Sequence, residues 1–153
     1  MTDSETRRLH DQLRRAFDGA AWHGPAVQEV LAGVTGGQAG ARPVADAHSI
    51  WELVLHITAW EKAALRMLEG EAVDLPTAED WPAPAAPTDD AWQRTLASLA
   101  AVHAALLDAV SRLPDARLGD IAPGREYSIY FLLHGVVQHA LYHAGQIAVL
   151  RKL

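Results

Sequence analysis

His139 and His143 stand four residues apart in "HALYHAGQIAVLRK", in an apolar stretch where a helix seeking only a core would carry leucine. At about 100° per residue the two side chains lie about 40° apart, one turn above the other. Gln146 falls about 20° to the other side of His139. Two imidazoles at i and i+4 can converge on one ion. Eight histidines in 153 residues produce roughly 0.4 such pairs by chance, so spacing alone decides little. The face decides more. The pair shares it with Leu132, Gly135 and Leu150, which should point into the interior. Burying two neutral imidazoles there costs free energy unless each nitrogen finds a partner. A metal ion satisfies both at once; the alternative is two core histidines bonded to carbonyls or to Tyr142.

Two histidines hold a divalent ion poorly, and a third ligand is to be sought. His56 sits in the middle of "WELVLHITAWEKAAL" among Leu53, Leu55, Ile57 and Trp60, at a depth similar to the pair if the two segments are neighbouring helices. His103 is the rival and reads better as a core histidine. Glu52 shares a face with His56 and is either a fourth ligand or part of a helix cap. Glu61 is expected to face solvent or to support a ligand from behind. Trp60, His103, Tyr142 and Gln146 are the pocket candidates. His10 and His48 read as surface or helix-start residues, His134 lies on the far side of its helix from His139, and His23 could line a cavity. No serine triad, phosphate-cradling glycine loop, dinucleotide fold or paired Glu-x-x-His motif is present.

Four helices must position these residues, and nowhere does the chain alternate as a strand would. Leu9, Leu13, Phe17 and Ala20 mark a first amphipathic helix, interrupted by "WHGP" and continued from Pro25 until "TGGQAGARP" ends it. A second should begin near Asp46 or Ser49, where "SIWE" has the form of a capping box, and run to Gly70. Thr88 can cap a third, with Trp92, Leu96, Leu99, His103, Leu106, Val110 and Leu113 on one stripe and Pro114 as its stop. The fourth spans about 128–151. Between the second and third lies "EGEAVDLPTAEDWPAPAAPTDD", with seven acids, four prolines and no basic residue. That segment, 69–90, reads as a long exposed crossover, its acidity a solvated surface, or as a lid over something. The expected architecture is an all-α four-helix bundle forming a single domain over residues 1–153.

Composition narrows the function. Thirteen basic against nineteen acidic residues leave a net charge of −6 with no basic run, which disfavours a nucleic-acid partner. With no cysteine, disulfides, thiolate ligands and a cysteine nucleophile are all excluded, and any thiol chemistry needs a substrate that brings the sulfur. The opening "MTDSETRRLHDQLRRAF" lacks the apolar centre of a signal peptide, and no apolar run approaches the ~18–20 residues that cross a bilayer. A soluble, cytoplasmic protein is expected.

"SIWELVLHITAWE", with His56, and "HALYHAGQIAVLRK", with His139, His143 and the Gly145-Gln146-Ile147 that follows, resemble the DinB/YfiT-like superfamily of bacterial four-helix proteins. The resemblance covers the helical order over most of the chain, its sharp motifs lie in those two segments, and residues 1–45 add little to it. It implies that one divalent ion is held by His56, His139 and His143. It further implies a homodimer, for which the apolar faces of the first two helices offer a surface. Family members include transferases and isomerases that use low-molecular-weight thiols such as bacillithiol and mycothiol, and others labelled metal-dependent hydrolases by analogy. A thiol S-transferase or hydrolase acting on a small molecule is therefore expected, with zinc or nickel ahead of iron or copper, since imidazole suits all four. The alternative is a non-catalytic bundle that binds a metal or small ligand as a dimer.

Overall fold

A computed structural model describes residues 4–153; Met1 to Asp3, which the expected 1–153 domain and the arginine-rich opening segment include, lie outside the described residues. Among the described residues seven α-helices follow one another: α1 (Glu5–Asp18), α2 (Val27–Leu31), α3 (Gly36–Gly40), α4 (Ile50–Leu68), α5 (Thr77–Asp80), α6 (Asp89–Ser111) and α7 (Ile129–Leu150). A short 3₁₀ turn, Asp115–Gly119, precedes α7. Among the described residues no strand forms beyond an isolated bridge between Ile121 and Ser128. No helix among them is long and apolar enough to cross a membrane.

The four long helices form the bundle. Each begins at a hydroxyl cap, where Ser4, Ser49, Thr88 and Ser128 accept a hydrogen bond from the backbone N–H three residues on. Helix α4 packs against α6 and α7, and α1 packs against the same two, so α1 and α4 face each other across the diagonal. Far in sequence from its own helix, the Asp115 carboxylate accepts from Glu5 N, Thr6 N and Thr6 Oγ1, tying the start of α1 to the turn before α7. Those hydrogen bonds, led by the Thr6 hydroxyl, hold its carboxyl below the usual carboxylate range.

Two departures from the sequence reading have local causes. The first helix stops at Asp18, where Gly19 at φ 133° and Ala20 at φ 59° turn the chain into left-handed space. "TGGQAG" is a helix rather than a breaker. Thr35 caps it, and Gly36 lets it approach the start of α6, where a Cβ would come within 2.5 Å of the Thr88 carbonyl oxygen. The Gly36 N–H donates to Asp89 Oδ1 at 2.7 Å. Here glycine serves close packing, and that contact outweighs its low helix propensity.

Apolar side chains gather in two clusters. One joins Phe17, α2 and α3 to the first half of α4, the first half of α6 and the second half of α7; it includes Trp51 and Trp92. The other joins Leu9 and Leu13 to the opposite halves of the same three helices. The apolar faces of α1 and α4, expected to offer a dimer surface, are consumed by these clusters, since Leu9, Leu13, Leu53 and Ile57 are all buried. Large apolar side chains are instead exposed on α7, at Phe131, Tyr142 and Val149.

Ser49 carries both halves of the α4 capping box: its Oγ accepts from Glu52 N at 3.2 Å, and its own N–H donates to Glu52 Oε2 at 2.7 Å. Ser49→Ala is expected to cost about 1 kcal/mol and to lower the melting temperature by roughly 2–4 °C, with far-ultraviolet circular dichroism unchanged at 20 °C. An unaltered melt would mean that the buried cap adds nothing to the start of α4.

Candidate functional site

Helices α4 and α7 are neighbours, and their histidines meet at the boundary between the two apolar clusters. His56 is one turn before Trp60 on α4; His139 and His143 are one turn apart on α7. His139 Nε2 lies 3.0 Å from His56 Nε2 and 3.1 Å from His143 Nε2. The three form a group whose ligand atoms all lie within 4.8 Å of one another. His56 and His143 are buried, and His139 is partly exposed.

Proton positions follow from the outer nitrogens. His143 Nδ1 lies 2.6 Å from the side-chain oxygen of Gln146, an acceptor, so Nδ1 carries the hydrogen and Nε2 a lone pair. His56 Nδ1 faces two acceptors of Asp80, its backbone carbonyl at 2.8 Å and its carboxylate Oδ1 at 3.0 Å, with the same result. Burial first, and then the imidazoles of His143 and His56, push His139 down to about 3. His143 is lowered as well, by burial first, against the opposing hydrogen bond to Gln146. Three Nε2 atoms therefore face one another with at most one hydrogen among them. The spacing suits a shared cation, because a metal–nitrogen bond of ~2.0–2.1 Å sets adjacent ligand nitrogens ~2.9–3.4 Å apart.

The acidic segment between α4 and α6 reaches this group. It joins two parallel helices, so it must run back along α4 to reach the start of α6, and it passes the histidines on the way. Its single helical turn, α5, ends at Asp80, whose Oδ1 also accepts from Trp60 Nε1 at 2.7 Å. The next residue, Trp81, lies flat between two imidazoles: its ring is 3.8 Å from His56 at an interplanar angle of 4° and 3.6 Å from His48 at 8°. The segment thus covers the His56 side as a lid would. In sequence this run reads as a solvated surface or a lid, without singling out Asp80 or Trp81; the signal for them is the tryptophan in the middle of it.

The remaining candidates divide. Gln146 touches His143 directly, and Trp60 stands beside His139 at a ring separation of 6.2 Å. Tyr142 is exposed, its ring 5.1 Å from that of His143, and with His48 and Gln146 it lines a cavity of about 650 Å³. His103 stands apart in the core, stacked on Phe17 at 3.9 Å. Its Nδ1 lies 3.1 Å from both oxygens of Glu61, which is only 2% exposed. Against the expectation that it faces solvent or supports a ligand from behind, Glu61 is buried against His103, across from it on α6, which supplies the donor that a buried carboxylate requires. His103 Nε2 is buried with no partner among the described residues. Glu52 belongs to the cap and to an ion pair with Arg42, away from the three histidines. His134 packs edge-on against Tyr130, and His23 is exposed.

A family model described as the DinB superfamily matches residues 20–147. The chain belongs to the DinB superfamily. Nothing among curated proteins or solved structures matches it.

Trp81→Ala removes the ring held between His48 and His56 and leaves the backbone carbonyl of Asp80 in place. Amide exchange across residues 74–86 is expected to quicken by roughly tenfold or more while α4 and α7 keep their protection. Exchange mass spectrometry reads this directly, and unchanged rates would show that the stack does not fasten the segment.

Proposed function

We propose that the chain is a metal-dependent enzyme in which Nε2 of His56, His139 and His143 holds one divalent ion, acting as a thiol S-transferase or hydrolase on a small molecule. One observation carries the reading: three buried or half-buried imidazole nitrogens face each other with at most one hydrogen to share. Such a layer is costly when empty of positive charge and favourable around a cation. Three neutral nitrogen ligands leave room for an exchangeable fourth, and an ion so held supplies a Lewis acid that makes coordinated water or thiol acidic near neutral pH. Zinc or nickel is the leading choice, ahead of iron or copper. The lack of cysteine makes any sulfur nucleophile a substrate, of the low-molecular-weight thiol class.

The chain's own residues divide the remaining work. Gln146 and Asp80 accept the outer N–H of His143 and His56 and so aim their inner lone pairs, the role such partners play in raising ligand basicity. Depressed basicity toward protons at His139 and His143 keeps both rings neutral at neutral pH, leaving their lone pairs available. Trp81 shields one face of the His56 ring from water, and His139 keeps the more open side. A closed, dry cluster would favour the competing reading, a non-catalytic metal- or ligand-binding dimer; a cavity lined by His139 and Trp60 favours the enzyme. Residues 1–153 then act as one domain in the cytoplasm. A homodimer would use the exposed apolar side chains Tyr142 and Val149 of α7, and sedimentation at micromolar concentration should give about twice 16.5 kDa. A species of single mass throughout would remove the dimer from the proposal.

Protein purified without a histidine tag or chelator should carry up to one zinc or nickel per chain. His143→Ala should lower metal affinity by about a hundredfold or more, and abolish any metal-dependent turnover of a thiol with a small electrophile or of an ester. His134→Ala, on the other side of α7, should leave affinity unchanged. Melting of the metal-free protein should change far less, because two apolar clusters rather than the ion hold the bundle. Metal titration of both variants beside thermal melts decides the matter. Equal affinity in wild type and His143→Ala would remove the ligand set.

A further inference from the structure

Between α4 and α7, on the side of the histidines away from Gln146, lies a cavity of about 240 Å³. Trp60 forms one wall, and Tyr127, whose ring packs on Phe131, together with Phe131, Leu132, Gly135 and Val136 forms the other, with His139 common to the cavity and to the three-histidine group. No carboxylate, ammonium or guanidinium lines it. The one polar atom of Trp60, its indole N–H, is already given to Asp80, so toward the cavity the residue offers only ring surface.

Gly135 keeps this space open. It lies inside a 22-residue helix, where glycine costs about 1 kcal/mol relative to alanine. A Cβ placed there would meet nothing within 4 Å, so packing does not require the glycine. At Gly36 the backbone of a neighbour excludes a side chain; at Gly135 there is only empty volume. Phe131, one turn earlier on α7, is 64% exposed at the rim, an aromatic ring left with a free face beside an apolar hollow.

We infer that this cavity receives the uncharged apolar end of the substrate, one aromatic ring or a branched aliphatic group, and so sets the substrate class of the centre beside it. The inference rests on the metal reading for its reacting end and on the cavity alone for its apolar end. Volume limits the occupant. Drug-sized ligands occupy pockets of about 300–1,000 Å³, whereas a benzene ring fits an apolar cavity of about 150 Å³. A charged group would lose its hydration here without gaining a partner. The substrate is therefore an amphiphile of small size: a polar, reacting end at His139 and a compact apolar end against Trp60 and Phe131.

The test uses the full chain loaded with zinc and two hydroxamates that share a metal-binding head. Benzohydroxamate carries a ring and acetohydroxamate a methyl group. Calorimetry should show benzohydroxamate binding wild type about tenfold tighter or more, the gain expected from burying one ring. Gly135→Leu fills the hollow from a helical position, and should bring the two affinities to within about twofold of each other. Acetohydroxamate, which has no ring to place, should bind Gly135→Leu as it binds wild type and so reports that the centre is intact. Phe131→Ala should reduce the preference without abolishing it. A preference that survives Gly135→Leu, or is absent from wild type, overturns the inference. Failure of zinc uptake is read from the zinc titration itself and removes the metal reading separately. In the metal-free chain toluene should still shift the amide signals of Gly135 and His139, and no shift overturns the inference in either metal state. Dimerisation lost in Gly135→Leu without any aromatic preference would assign the cavity to a second copy of the chain and overturn it too.

Discussion

Imidazole and carboxylate groups buried across the middle of an apolar bundle must each find a partner, and much of the molecule is arranged around that requirement. His56, His139 and His143 lie at one end of this polar layer and the Glu61–His103 pair at the other, and the two apolar clusters meet there. Uncompensated, each such group would cost of the order of 1–3 kcal/mol, comparable to a large share of a domain's net stability. Glu61 answers the cost with His103. The three histidines answer it outward, through Asp80 and Gln146, and leave their inner nitrogens confronting one another. Three nitrogens so placed fit a metal-binding site.

The acidic, proline-rich connection serves the same requirement on its way. Helices α4 and α6 are parallel neighbours, with Trp51 beside Trp92 and Glu61 meeting His103, so the chain must return along the length of α4 to begin α6. In about twenty residues it passes the middle of α4, where Asp80 meets the outer nitrogen of His56 and the N–H of Trp60. Trp81 is held on both faces by imidazoles, and one of those is His48, just ahead of the Ser49 cap. The start of α4, the lid and the site therefore share a single stack of three rings. A change that loosens the lid alters the surroundings of His56 without touching any of the three inner nitrogens.

Open volume is distributed unevenly about this stack. Trp81 closes the His56 side, a larger hollow lies by Tyr142 and His48, and the smaller, apolar one lies by His139. The least buried of the three histidines is the one that borders a cavity, the arrangement expected where a small molecule must reach the group from one direction. Membership of the DinB superfamily fits the bundle and the three-histidine group; the shape of the hollows belongs to this chain's own side chains, Gly135 and Phe131 foremost.

Sequence alone determined what depends on helical phase and local hydrogen bonding. The caps at Ser49 and Thr88, the stripe on α6, the stop at Pro114 and the shared face of His139 and His143 all follow from a period of about 3.6 residues and from side chains that reach only their own turn. Tertiary structure decided what depends on the neighbour. Glu61 has an acidic side chain, yet it is buried because a histidine 42 residues away meets it. Gly36 reads as a breaker and becomes helical because the start of α6 lies against it. Asp80 and Trp81 lie in a segment with no periodicity to read, and only the fold returns them to His56. A helix carries its own phase in its residues; the azimuth at which two helices face each other, and the path of an irregular connection, are set by packing between parts of the chain that no local spacing records.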